Sequence, residues 1–169
     1  MREKRTSSAA SVLLTLFRLL FTAFAILTML FIFSNSLEIA ALSSQRSGRV
    51  MAFLNEMLAK VSLGPLSEYA VRKLAHFCEY ALLGFWYTLC LRVYTRHTVR
   101  YISWPLFLLL FVANVDETIQ TFVSGRSGQL SDVWLDFCGG LSGTLCALAL
   151  ICLITGFFRL LGFGRKRAA

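Results

Sequence analysis

The chain has 169 residues, of which 57% are hydrophobic, 14% aromatic and only 15% charged, a balance too apolar for a soluble globule. Its formal net charge of +8 could point to nucleic acid, but no nucleic-acid motif is present. The basic residues sit instead at the ends of apolar runs, where they orient helices and meet lipid heads, so the class is a small all-α polytopic membrane protein whose first partner is the bilayer.

In chain order, residues 1–11 predict a short basic tail with Arg2, Lys4 and Arg5. Residues 12–33 are apolar except for Thr15, Arg18, Thr22 and Thr28, long enough to span and too long for a signal-peptide core, so they predict a retained first helix. Arg18 is within two turns of its start and can snorkel to the near interface. Residues 34–69 are mixed. Their first part, SNSLEIAALSSQRSG, is serine-rich and predicts irregular structure. Beyond it Val50, Phe53, Leu54, Met57, Leu58 and Val61 recur with helical spacing while Arg49, Asn55, Glu56 and Lys60 take other faces. That is an amphipathic helix too polar to span. It either lies flat at the interface over the mouth of the bundle or packs on its own chain as a loop helix. Gly64-Pro65 ends it.

The second span covers residues 74–91 and leaves the membrane at Arg92, Arg96, His97 and Arg100. In the third, residues 102–115 reach only about 20 Å as a helix, short of a hydrocarbon core of roughly 30 Å. Extension to residue 123 removes the shortfall and takes Asp116, Glu117 and Gln120 into the helix, where they must face protein or a wet cavity. Gly125-Arg126-Ser127-Gly128 makes a turn. The fourth span, residues 132–158, opens with Ser131 and Asp132 as a predicted N-cap and carries Asp136. Within it Gly139, Gly143 and Ala147 predict close helix packing. Residues 159–169, with Arg159, Arg165, Lys166 and Arg167, form a second basic tail. The expected architecture is a four-helix transmembrane bundle over residues 12–158, with an amphipathic interfacial helix between spans one and two.

The stretch RKLAHFCEYALLG, residues 72–84, turns from a charged segment into an apolar run without punctuation. On a helix Lys73, His76, Glu79 and Tyr80 share one face, with Glu79 about 9 Å along the axis from Lys73. Such residues either hold a neighbouring helix by hydrogen bonds or mark a functional site. The densely basic tails and the loop between spans two and three put both termini in the cytoplasm by the positive-inside rule. Arg72 to Glu79, Asp116 to Gln120, and Asp132 with Asp136 then reach one depth at the outer face. Arg72, Lys73 and Arg126 face five carboxylates there, two negative charges in excess with His76 neutral, an imbalance that protonation or a divalent cation relieves. His76 and Glu79 have the spacing of a helical metal pair but lack the second histidine of a zinc-protease motif. Arg126 is placed either to contact a lipid head or to pair with an acid. The five cysteines lack CxxC spacing and are expected to be small apolar residues, neither disulfides nor a zinc site.

RKLAHFCEYALLG, DETIQTFVSGRSGQLSDVWLDFCGG and the FSNS after the first span together resemble the VanZ-like family of small bacterial membrane proteins. The first pattern is carried by Arg72, Lys73, His76, Glu79, Tyr80 and Gly84. The second is carried by Asp116, Glu117, Gln120, Gly125, Arg126, Asp132, Asp136, Gly139 and Gly140. The resemblance implies a bacterial plasma-membrane protein and an association with lowered susceptibility to teicoplanin and lipidated glycopeptides.

Three functions are open. One is an envelope protein whose outer site binds a lipid-linked precursor, phospholipid or lipoglycopeptide through Arg72, Lys73, Tyr80, Gln120, Arg126, Asp132 and Asp136. Another is a membrane hydrolase or transferase acting on a phospholipid or lipid-linked cell-wall precursor, with His76, Glu79, Asp116 and Glu117 as candidate catalytic residues or metal ligands. A small ion-coupled carrier is the third, though four spans leave little room for two gates.

Overall fold

A computed structural model describes residues 2–161, with side chains from Ala10 onward. Of the basic tails, the side chains of Arg2, Lys4 and Arg5 and residues Arg165, Lys166 and Arg167 lie outside this description. The described residues are helical: α1 (Arg2–Ser36), α2 (Ala40–Lys60), α3 (Glu68–Tyr94), α4 (Ser103–Thr121) and α5 (Leu130–Leu160), with a 3₁₀ turn at Val99–Tyr101 before α4. Four segments are long and apolar enough to cross a membrane: Ala10–Ser36, Glu68–Tyr94, Val99–Thr121 and Leu130–Leu160.

Two local expectations are corrected. The serine-rich stretch after α1 is not irregular, because only residues 37–39 interrupt the helices and α2 begins at Ala40, ten residues before the apolar repeat. Ala40, Ala41, Leu42, Gln45 and Arg46 favour helix, and Ser43 is buried against the bundle, so tertiary contact overrides the serine content. The cap of α5 is Gln129, without a side-chain bond, in place of the predicted Ser131 and Asp132. Asp132 lies inside the first turn and pairs with Lys73.

α3 and α5 pack most extensively, and glycines set their separation. A Cβ at Gly84 would run into the carbonyl of Gly140, and one at Gly143 into the carbonyl of Ala81. The backbones thus touch, as small residues at helix interfaces allow. α1 packs on α3 through Phe21 and Phe24 against Trp86, the Phe24 and Trp86 rings stacking with centroids 4.6 Å apart. Arg18 reaches the end of α3, where its Nε donates to the carbonyl of Val93 at 3.0 Å and its guanidinium covers the Tyr94 ring. All five cysteines are free.

The buried face of α4 explains where the polar residues go. Pro105, Leu109, Val112, Ala113, Asp116, Glu117 and Gln120 form one helical stripe, apolar at its start and ionisable over its last turns. The apolar part joins Ile32, Tyr80, Leu83 and Val133 in the core, and the polar part continues directly from it.

Candidate functional site

The end of α1, the first half of α3, the end of α4 and the start of α5 meet at one end of the bundle, and α2 and the 122–129 turn lie over them. Ala40 of α2 donates its backbone N–H to the carbonyl of Ser124, and Gln129 donates its N–H to Glu117 Oε2 at 2.7 Å. A Cβ at Gly128 would meet the carbonyl of Glu117, so this turn is seated on α4.

The residues singled out in the sequence divide into two layers. In the inner layer Asp116 and Asp136 are fully buried, at 0% exposure, and Glu117 and Gln120 nearly so. Gln120 Nε2 donates to Asp116 Oδ2 at 3.3 Å and to Glu117 Oε1 at 3.2 Å. His76 points from α3 towards Asp136, with Nδ1 and Oδ1 3.6 Å apart, and not towards Glu79 one turn on. Tyr80 is wholly buried, with its hydroxyl in the field of Asp116, Asp136, Glu117 and Glu79.

The outer layer is basic. Lys73 is taken by Asp132 in a largely buried ion pair. Arg72 is exposed and Arg126 half-buried, and among the described residues neither forms an ion pair. Arg126 donates from one Nη to the backbone carbonyl of Asn35 at 3.1 Å and, among the described residues, pairs with no acid. Burial, then the nearby Arg72 guanidinium, lowers the Arg126 pKa from its ordinary value.

Sequence reasoning missed Asn35 and Arg46. Asn35 Nδ2 donates to Glu79 Oε1 at 2.8 Å, and its Oδ1 accepts from Arg46 Nη1 at 3.0 Å. Arg46 also pairs with Glu38 at 2.8 Å. Ser36, beside Asn35, is buried against Asp116. The available signal was FSNS directly after the first span. Arg46 lay in the stretch expected to be irregular, so nothing in the sequence aimed it at Asn35.

Two cavities open between the layers. One, of about 290 Å³, lies between α1, α2 and α3; Phe31, Val50, Leu54 and Leu74 form its apolar side, and Asn35, Arg46, Arg72, Glu79 and Arg126 its polar side. A smaller one, of about 100 Å³, is polar and is lined by Lys73, Gln120, Gln129 and Asp132 among others. His76, Arg72, Arg126 and Ser43 border both.

Four apolar helices enclosing a buried polar cluster at one end define a multi-pass all-α membrane protein. The VanZ/LLP1 family model matches residues 19–154, and the chain belongs to that family. Neither the curated proteins nor the solved structures yielded a match.

Proposed function

We propose that this protein binds the headgroup of an anionic amphiphile at the outer face of the bacterial plasma membrane. The class is that of lipid-linked cell-wall precursors, phospholipids and lipidated glycopeptides. The observation that carries this reading is the composition of the larger cavity: an apolar wall of Phe31, Val50, Leu54 and Leu74 faces Arg46, Arg72 and Arg126. An acyl or prenyl chain suits the first wall and a phosphate or carboxylate the second. The excess of carboxylates foreseen for the site is offset at the opening, since Asp116 and Asp136 lie beneath while three guanidiniums line the cavity with one carboxylate, that of Glu79.

Both termini are placed in the cytoplasm on the positive-inside distribution of lysine and arginine. α2 is assigned to the interface because Leu42, Val50, Phe53 and Met57 are all exposed along it, surface that lipid would cover. Family membership supports a role in lowering susceptibility to glycopeptide or lipoglycopeptide antibiotics, by occupying or sequestering such an amphiphile. A second reading, a hydrolase or transferase on the bound headgroup, is favoured by His76, which borders both cavities and faces a buried aspartate that would orient its imidazole.

Photo-crosslinking tests the binding site. A photoreactive residue at Leu54, on the cavity wall, should capture lipid-linked precursor or lipidated glycopeptide well above one at Leu150, at the far half of α5. Capture at Leu54 should fall when Arg72 and Arg126 are both replaced by Gln. Equal capture at the two positions would sink the reading.

A further inference from the structure

The inner layer calls for a ligand of its own. Asp116 from α4, Asp136 from α5 and His76 from α3 each present an atom, and these three atoms lie within 4.8 Å of one another. Both carboxylates are fully buried. Among the described residues, neither oxygen of Asp136, Oδ1 of Asp116 nor Nδ1 of His76 has a hydrogen-bond partner. Leaving buried carboxylate oxygens unsatisfied is costly, and native structures rarely do so without a reason.

The charged and amide groups nearby are engaged elsewhere, and of the neutral hydroxyls Ser36 lies against Asp116 while Tyr80, equally buried, is itself without a partner. Lys73 is held by Asp132, Arg126 by the carbonyl of Asn35, and Gln120 divides one amide nitrogen between Asp116 and Glu117. Glu79 and Glu117, which the sequence offered as metal ligands, have turned to Asn35 and to the N–H of Gln129. Three helices therefore aim unpartnered donor atoms of the metal-binding type at one buried point.

We infer that His76, Asp116 and Asp136 bind a divalent first-row transition metal, Zn²⁺ or Mn²⁺. One imidazole nitrogen with two carboxylate oxygens suits these ions better than Mg²⁺ or Ca²⁺, which prefer oxygen alone. Two positive charges match the two buried carboxylates, with His76 bound neutral. Ligand atoms about 2.1 Å from a metal stand roughly 3.5 Å apart, so the observed cluster needs only small side-chain adjustments. Three protein ligands would leave a coordination position open, and of the three only His76 borders the two cavities. The assignment stands on the buried cluster alone and does not require that the cavity bind an amphiphile.

The test is metal analysis of tag-free full-length protein purified in detergent from medium containing both ions, followed by chelation and re-titration with Mn²⁺ monitored by electron paramagnetic resonance. Wild type should carry metal in stoichiometric amount and recover it on re-titration, with nitrogen coupling from one imidazole. His76→Gln and Asp136→Asn should each weaken Mn²⁺ binding about tenfold or more, and His76→Gln should remove the nitrogen coupling. Glu79→Gln should keep the metal. Wild type that neither carries nor takes up Zn²⁺ or Mn²⁺ overturns the assignment, as does unchanged binding in both ligand variants. If Asp136→Asn does not fold, the nitrogen coupling in wild type and its absence in His76→Gln decide the matter.

Discussion

Asn35 shows how one amide can join three elements. It lies in the last turn of α1, donates to Glu79 on α3 and accepts from Arg46 on α2, while its own backbone carbonyl receives Arg126 from the turn before α5. Replacing it with alanine leaves Glu79 partly buried without its donor and frees Arg46 to follow Glu38 alone. A buried group deprived of its partner costs about 1–3 kcal/mol. Asn35→Ala should therefore lower the melting temperature in detergent and accelerate backbone hydrogen exchange in α2, with less change in α4. Unaltered exchange across 40–60 would mean that Asn35 does not tether α2.

Among elements, the α3–α5 contact depends on the absence of side chains. At Gly143 an added methyl group would collide with the carbonyl of Ala81, and helix backbone cannot yield as a flexible side chain can. Gly156 lies in the same helix with nothing within 4 Å of its virtual Cβ. Gly143→Ala should thus destabilise the fold, whereas Gly156→Ala should be neutral or stabilising by up to about 1 kcal/mol through helix propensity. Thermal melting of the two variants in one detergent checks the contrast. Equal effects would show that propensity, and not backbone contact, governs these positions. The same approach of α3 to α5 brings His76 to Asp136, so loosening it should also weaken metal binding.

At the scale of the whole molecule, the polar cluster, α2 and the 122–129 turn lie at one end of the bundle, the end opposite the loop that carries Arg96 and Arg100. On the proposed topology, with both termini in the cytoplasm, this end would face outward. Single cysteines at Gln45 and Ser127, in a background without the native five, should react with impermeant maleimide in intact cells, both positions being exposed. A cysteine at Arg96 should react only after permeabilisation. The reverse pattern would turn the bundle over and put the cavity in the inner leaflet.

Hydropathy and run length were enough to establish four apolar helices and an all-α bundle, because burial in lipid depends on composition summed over a whole helix and hardly on its neighbours. The length deficit of the third span was likewise enough to place Asp116, Glu117 and Gln120 inside a helix, since hydrocarbon thickness limits how short a span can be. What the one-dimensional pattern could not decide is which partner each ionisable group takes. His76 and Glu79 are spaced for each other along α3, yet His76 faces Asp136 and Glu79 faces Asn35, 60 and 44 residues away in the chain. The separation of the buried aspartates from the arginine-lined cavity, and the helix in place of a serine-rich loop, arise from how far α3 and α5 approach and where α2 comes to rest. Those distances are set by packing between segments distant in sequence, which only the tertiary structure contains.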